Sequence, residues 1–204
     1  MVELKKGAFI AIEGVDGAGS STQTWLLVNW LAEKGYSAVA TKEPNPDGEI
    51  RSAIRHVLRE RSPIPELDAL LFAADRVDHV ERFIKPWLKS KKIVVSDRYL
   101  ESSIAYQTSQ GLSEKWILSI NRHAIAPDIT IILDVDPKVS LTRKDVEPER
   151  FENATFLSKV RKKFLERAKM KGYCVIDASR SLEEVQTEVL KAVLPLVKTI
   201  SRKS

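Results

Sequence analysis

Between positions 13 and 23 the chain reads EGVDGAGSSTQ, in which Gly14, Gly19 and Ser21 take the two glycine positions and the hydroxyl position of the pattern G-x-x-x-x-G-K-[ST]. A loop of this kind, set between a strand and a helix, turns backbone N–H groups onto phosphate oxygens. The helix N-terminus adds partial positive charge. Gly14, Val15, Asp16, Gly17, Ala18, Gly19, Ser20, Ser21 and Thr22 are therefore the expected ATP-binding run, with Ser21 at the position that ligates Mg2+. One position departs from the pattern. Ser20 stands where a lysine normally reaches the β- and γ-phosphates, and a serine donates a hydrogen bond without supplying charge. Either another cation substitutes, or the residue is an introduced change, or the loop binds nucleotide without efficient transfer. The abundance of other cations favours the first.

Asp97 and Arg98 follow an apolar run and bring a carboxylate and a guanidinium to a strand end. Phosphoryl transfer is mostly positioning plus charge stabilisation, and an arginine at the transferring group is worth roughly 10³–10⁵ in rate. Arg98 is the candidate for that role. Asp97 would hold Mg2+, directly or through water, or orient Arg98; a simple strand-end ion pair is the plainer alternative. In the helical pattern at 66–89, Leu67, Leu70, Leu71, Ala74, Val77 and Leu88 form one apolar stripe. Phe72 and Arg76, four apart, share a face roughly 150–170° from its centre. An aromatic ring beside a guanidinium suits a planar base, stacked by Phe72 and hydrogen-bonded by Arg76. Packing of Phe72 on another helix or subunit is the alternative.

The elements that must position these residues are legible as alternation. Short apolar runs at 8–12, 37–41, 93–96, 129–134 and 173–176 read as strands buried on both faces, as in a parallel sheet covered by helices. Helical patterns at about 20–34, 49–60, 66–89, 113–124, 152–171 and 181–199 separate them, which argues for an open α/β sheet of five parallel strands. Ligands of such sheets bind at the carboxyl ends of strands. The candidate residues cluster there three times, at 13–22, 42–44 and 97–99.

The chain has 204 residues, 43% of them hydrophobic and 30% charged, which suits one domain over 1–204 with a sizeable core. No apolar run approaches the length that crosses a bilayer, and the N-terminal segment lacks a secretory cleavage pattern, so a cytoplasmic protein with no membrane partner is expected. Cys174 is single, which excludes an internal disulfide, and His56, His79 and His123 lack metal-site spacing. Net charge is +5, yet residues 138–171 alone hold eleven Lys/Arg against five Asp/Glu. Such a stretch suits a polyanion, either a nucleic acid or a nucleotide triphosphate, or is simply a solvated helical face. Aromatics do not interleave with the basic residues of 159–171, so no nucleic-acid partner is expected.

Taken together, EGVDGAGSSTQ (13–23), KEP (42–44), FAADR (72–76), DRY (97–99), SSIAYQ (102–107), PDITIILDV (127–135), LTR (141–143), RFE (150–152) and IDAS (176–179) resemble the thymidylate kinases, from Phe9 to about Val185. Each is weak alone; their order and spacing together are specific. The resemblance implies a P-loop NTPase-type sheet with a lid at about 142–152, and transfer of the γ-phosphoryl of ATP to dTMP with Mg2+. It also implies a homodimer, for which the apolar faces at 66–89 and 101–124 offer surface. Phe72 and Arg76 match the residues that hold thymine. Lys42 stands where the family usually has arginine before Glu43, and so keeps charge without a bidentate fork; Arg51 matches a second arginine on the acceptor phosphate. Asp16 matches a contact to the sugar 3′-hydroxyl, and Tyr106 the aromatic that crowds the 2′ position. Ser103 and Gln107 fall on the same pocket wall. Arg143 matches an adenine-stacking arginine, and the backbone near Ala178 a contact to adenine. Members with glycine at the Gly17 position carry an assisting arginine in the lid, which makes Lys144 and Arg150 candidates.

Other readings make different demands. A deoxynucleoside kinase has a neutral acceptor and no need of Lys42, Arg51 and Arg76. A nucleotide-binding protein of the same fold with weak or lost kinase activity would explain Ser20, but not the retention of Phe72, Arg76, Asp97 and Arg98. Relaxed acceptor choice, with dUMP as well as dTMP, is compatible with Arg76 and Ser103.

Overall fold

The computed structural model describes residues 2–59, 64–143 and 153–201. Five parallel strands, β1 (Ala8–Gly14), β2 (Ala38–Lys42), β3 (Ile93–Asp97), β4 (Ile129–Asp134) and β5 (Cys174–Asp177), lie in the order β2-β3-β1-β4-β5. All residues of β1 and β3 are buried. The continuous apolar runs of the sequence thus sit at the sheet centre, where both faces are covered. Alternation divides them: Ile10 and Ile12 face one helical layer, and Phe9 and Ala11 the other.

The first layer contains α1 (Ser20–Glu33), α8 (Ala154–Lys171) and α9 (Leu182–Ile200), which contribute Leu27, Leu31, Leu157, Phe164, Val189 and Val193. Asn153 caps α8 by accepting from Thr155 and Phe156, and Ser181 with Glu184 forms a capping box on α9. The remaining helices are α2 (Arg51–Arg59), α3 (Pro65–His79), α4 (Lys85–Lys89), α5 (Leu100–Ser109), α6 (Glu114–Ile120) and α7 (Pro137–Leu141). Among the described residues no helix is long and apolar enough to cross a membrane.

Two differences from the sequence reading have physical causes. The run at 66–89 is not one uninterrupted α-helix: a π segment, Val80–Ile84, joins α3 to α4. Pro86 lacks an N–H and its ring opposes the carbonyl four residues earlier, and the wider turn, with Lys85 N–H on the Val80 carbonyl, accommodates it. The segment around 101–124 holds two helices, α5 and α6, where periodicity outlined mainly the second. The apolar stripe on α3 faces outward. Leu67, Leu70 and Val77 are 40%, 49% and 39% exposed, while Asp68, Asp75, Arg76 and His79 are buried.

Candidate active site

The cleft of about 900 Å³ opens at the carboxyl ends of the strands. The phosphate loop leaves central β1 and divides it. Gly17 and Gly19 have φ of +80° and +95°, a region that costs a side chain dearly, and at Gly17 a Cβ would meet the Ser140 carbonyl oxygen at 2.3 Å. The root of α7 therefore presses on the loop at a position only glycine fits. Helix α1 begins at Ser20, so its free N–H groups open onto the cleft. Asp16, Gly17, Ala18, Gly19, Ser20, Ser21 and Thr22 line it, whereas Gly14 and Val15 lie beneath the loop.

Asp97 and Arg98 arrive from β3, next to β1. The Ser21 hydroxyl donates to Asp97 Oδ2, the Lys42 ammonium lies 3.9 Å from that same oxygen, and the buried Asp97 Oδ1 has no partner among the described residues. Arg98 adopts φ +71°, an unfavourable conformation for a non-glycine residue, held by surroundings that fix it. Its backbone N–H donates to the Ile12 carbonyl at 2.9 Å. Its guanidinium donates to the Gly14 carbonyl (2.8 Å), to Ser102 Oγ (3.1 Å) and to Asp16 Oδ1 (2.6 Å), and lies 5.4 Å from the centre of the Tyr106 ring. Burial opposes its charge, but Tyr106, Asp16, Asp97 and Glu13 outweigh that and raise its pKa. The Tyr106 hydroxyl accepts the Asp16 N–H at 3.0 Å.

Under this group lies Glu13, fully buried at the end of β1. It accepts the N–H groups of Tyr99 (3.0 Å) and Glu101 (3.1 Å) and the Ser102 hydroxyl, and so caps α5 from another strand. Burial pushes its carboxyl up to about 7. Sequence spacing had marked Glu13 only as a member of the loop motif.

On the β2–β3 side the cleft wall is a polar lattice. Arg76, 2% exposed, donates to Glu43 Oε2 (2.6 Å), the Tyr99 carbonyl (3.1 Å), Ser103 Oγ (2.9 Å) and Asn121. His79 bridges Glu43 and Thr41, at 3.2 and 2.7 Å. Asp75, whose carboxyl burial raises to about 6, accepts the Asn45 N–H at 2.9 Å. Phe72 lines the cleft on the face it shares with Arg76, as do Ser103, Tyr106 and Gln107, whose buried Oε1 has no described partner. Both carboxylate oxygens of Glu43 are engaged by Arg76 and His79, so Glu43 acts as a brace for its neighbours. Arg51 donates to the Pro46 carbonyl at 2.8 Å and lines the cleft together with Lys42.

Sequence reasoning missed Arg55 and Leu58 on this side, although Arg55 follows Arg51 by four residues on one helix face. On the β4–β5 side, Gln23, Arg143, Ala178, Arg180 and Leu182 line the cleft. Arg180, also missed, is paired loosely with Asp177 at 3.4 Å. Lys144 and Arg150 lie outside the described residues, as does the lid from position 144 to 152.

A phosphate loop on the central strand of a parallel sheet, an arginine at the next strand end and a cleft at the carboxyl ends of the strands are the frame of the P-loop nucleoside monophosphate kinases. Residues 12–189 match the thymidylate kinase family, and the chain belongs to it. A probable thymidylate kinase of Pyrobaculum aerophilum is 44% identical over 194 residues, spanning 94% of this chain and 98% of its own length. Probable thymidylate kinases of Thermococcus onnurineus and Pyrococcus abyssi are each 40% identical over 198 residues, spanning 91% and 92% of this chain and 96% of their own lengths.

Proposed function

We propose that this chain transfers the γ-phosphoryl of ATP to dTMP, giving dTDP and ADP. The observation that carries the reading is the sequence of groups along the acceptor flank. Phe72 and Arg76 offer a base-recognition face, and Lys42, Arg51 and Arg55 lie on the same flank as the phosphate loop. A nucleoside monophosphate needs that succession of an aromatic face, a guanidinium and then cations; an acceptor that ends in a neutral hydroxyl does not. A phosphate oxygen of dTMP attacks the γ-phosphorus, the new P–O bond forms as the bond to the β-phosphate oxygen breaks, and ADP leaves with that electron pair. The attacking oxygen carries its own lone pair, so no side chain has to act as a base. Arg98 offers its remaining N–H groups to the transferring phosphoryl, Asp16 meets the sugar 3′-hydroxyl and Tyr106 crowds the 2′ position.

Ser21 and Asp97 fit a Mg2+ ion: two hard oxygens lie together, and one buried carboxylate oxygen has no described partner. Among the described residues no three His, Cys, Asp or Glu side chains are grouped so as to hold a metal ion by themselves. The phosphates and water would therefore complete the ligand set, as suits Mg2+. Bound there, it would offset charge on the β- and γ-phosphate oxygens. Arg143 takes the adenine on the β4–β5 flank, and the lid, with Lys144 and Arg150, excludes water. The outward stripe of Leu67, Leu70 and Val77 supports a homodimer built on α3, and a nucleotide substrate supports a cytoplasmic site of action.

The test is ADP formation with ATP, Mg2+ and, in turn, dTMP, dUMP, dCMP, dGMP, UMP and thymidine. Preference for dTMP is the expected result. Turnover of thymidine but not dTMP would replace the reading with a deoxynucleoside kinase. Tight ATP binding with no product from any acceptor would favour the reading that Ser20 invites, a binding protein without transfer. For the dimer, Leu70→Glu should shift the sedimentation coefficient to that of a monomer.

A further inference from the structure

Position 20 is where a P-loop presents an ammonium group to the β- and γ-phosphates. Ser20 is only 6% exposed at the start of α1 and brings no charge. We propose that Lys42, at the end of β2, supplies that missing charge: its ammonium acts on the donor's transferring phosphoryl group as well as on the acceptor phosphate. The inference deepens the kinase reading and rests on it.

Strand register puts Lys42 there. It pairs directly with Asp97 across β2 and β3, and Asp97 pairs with Ile12 of β1, immediately before the loop. The backbone is locked at the same level, since the Glu43 N–H donates to the Asp97 carbonyl at 3.0 Å. The Lys42 ammonium and the Ser21 hydroxyl consequently share one oxygen, Asp97 Oδ2. Lys42 thus meets the same Asp97 oxygen as the residue adjoining Ser20, and does so from β2, not from within the loop.

Its freedom points the same way. At 3.9 Å the contact with Asp97 is loose, the side chain is 51% exposed, and an ammonium has three donors to redirect. Three other cations of the acceptor flank are more committed, and Arg55, the fourth, stands on α2 and not at a strand end paired with β3. Arg98 is held by Gly14, Ser102 and Asp16, Arg76 by Glu43, Tyr99, Ser103 and Asn121, and Arg51 by Pro46. Arg143 and Arg180 follow α7 and β5, on the opposite flank. Lysine suits a bridging task, because a compact point charge attracts two phosphate groups without the fixed directions of a guanidinium fork.

The test is a cycle of Lys42→Ala, Ser20→Lys and the double variant. It reads kcat at saturating substrates, the affinity for a non-hydrolysable ATP analogue and for ADP without acceptor, and the affinity for dTMP. Lys42→Ala should lower kcat by about 10²-fold and weaken the ATP analogue more than ADP, which has no γ-phosphate. In the Ser20→Lys background the same substitution should cost several-fold less, because the loop again carries its own cation. Two results overturn the proposal: Lys42→Ala weakening only dTMP, or equal losses in both backgrounds. Lys42 is half-exposed at a strand end, so its alanine variant folds, and the analogue affinity decides the matter even if lysine at buried position 20 perturbs the loop. A native chain that transfers nothing to dTMP sinks the kinase reading itself; an active native chain whose Lys42→Ala variant binds the ATP analogue normally sinks only the role of Lys42.

Discussion

On the β2–β3 side of the phosphate loop, the cleft wall is buried polar groups that hold one another before any ligand arrives. On the β4–β5 side Gln23 is buried, but the charged groups Arg143 and Arg180 are exposed, as is Leu182. The lattice of Arg76, Glu43, His79 and Asn121 resembles a preorganised receptor, in which ordering is complete before binding. The other flank has side chains free to adapt. In the proposed kinase reading the β2–β3 flank takes the acceptor and must distinguish one nucleotide from others, and only fixed, desolvated polar groups penalise a wrong hydrogen-bond pattern strongly. In the same reading the β4–β5 flank would receive a nucleotide whose triphosphate the loop already grips, so it would need less.

The largest expected effect lies at the boundary between the flanks. Arg98→Ala should reduce the single-turnover rate, at saturating ATP and dTMP, by about 10³-fold or more. It should also leave the Asp16 carboxylate without its arginine partner. A loss below tenfold would move the charge-stabilising role away from β3 and onto Lys42 of β2 or the lid. Next comes the lattice itself. Arg76→Ala leaves Glu43 buried beside an empty space, and breaking such a pair costs about 3–5 kcal/mol. Calorimetry should show Tm falling by roughly 6–20 °C, with dTMP affinity lost and ATP affinity retained. A shift of only a degree or two would mean that the acceptor flank is no more preorganised than the donor flank.

These contrasts explain what could be read in advance. The phosphate loop, the five apolar strands and the Phe72/Arg76 face are local patterns, so the chain states them directly. Asp75 and His79 are different. Polar residues on a helix read as solvent-facing, and α3 looks like a helix whose leucines face the core. The structure reverses it because the partners of its polar face, Thr41, Glu43 and Asn45, come from a strand end some thirty or more positions away. Helix α5 was faint for a related reason. LESSIAYQTS has poor intrinsic propensity, and its first turn is held by Glu13 from β1. Arg55 and Arg180 carried a signal too general to use, one being a helical repeat of Arg51 and the other a lone cation after a strand.

Glu13 gives a titration that sharpens the comparison. Its carboxyl is raised from 4.5 to about 7, chiefly by burial, so the folded state binds this proton more tightly than the unfolded chain does. Its contribution to stability is greatest below the unfolded value and is lost as pH rises through about 7. Glu13→Gln keeps an acceptor for the Tyr99 and Glu101 N–H groups without the ionisation. The stability of the native chain relative to this variant should therefore fall by about 3 kcal/mol between pH 4 and 8, measured by urea unfolding at a series of pH values. A flat difference would mean that Glu13 is solvated, and that the support beneath Arg98 is looser than its hydrogen bonds imply.

The smallest effect belongs to the adaptable flank. Arg180 is about half exposed and its ion pair with Asp177 is long, so its attraction for a nucleotide is screened by water and salt. Arg180→Ala should weaken ATP only about two- to fivefold, leave dTMP affinity and Tm unchanged, and matter less as ionic strength rises. Arg76→Ala should show the converse on all three counts, because a desolvated pair is screened little. If Arg180→Ala instead lowered Tm by several degrees, or its effect on ATP persisted in molar salt, the β4–β5 flank would be as rigidly built as its counterpart. Selectivity would then no longer account for why one wall of the cleft is braced and the other is not.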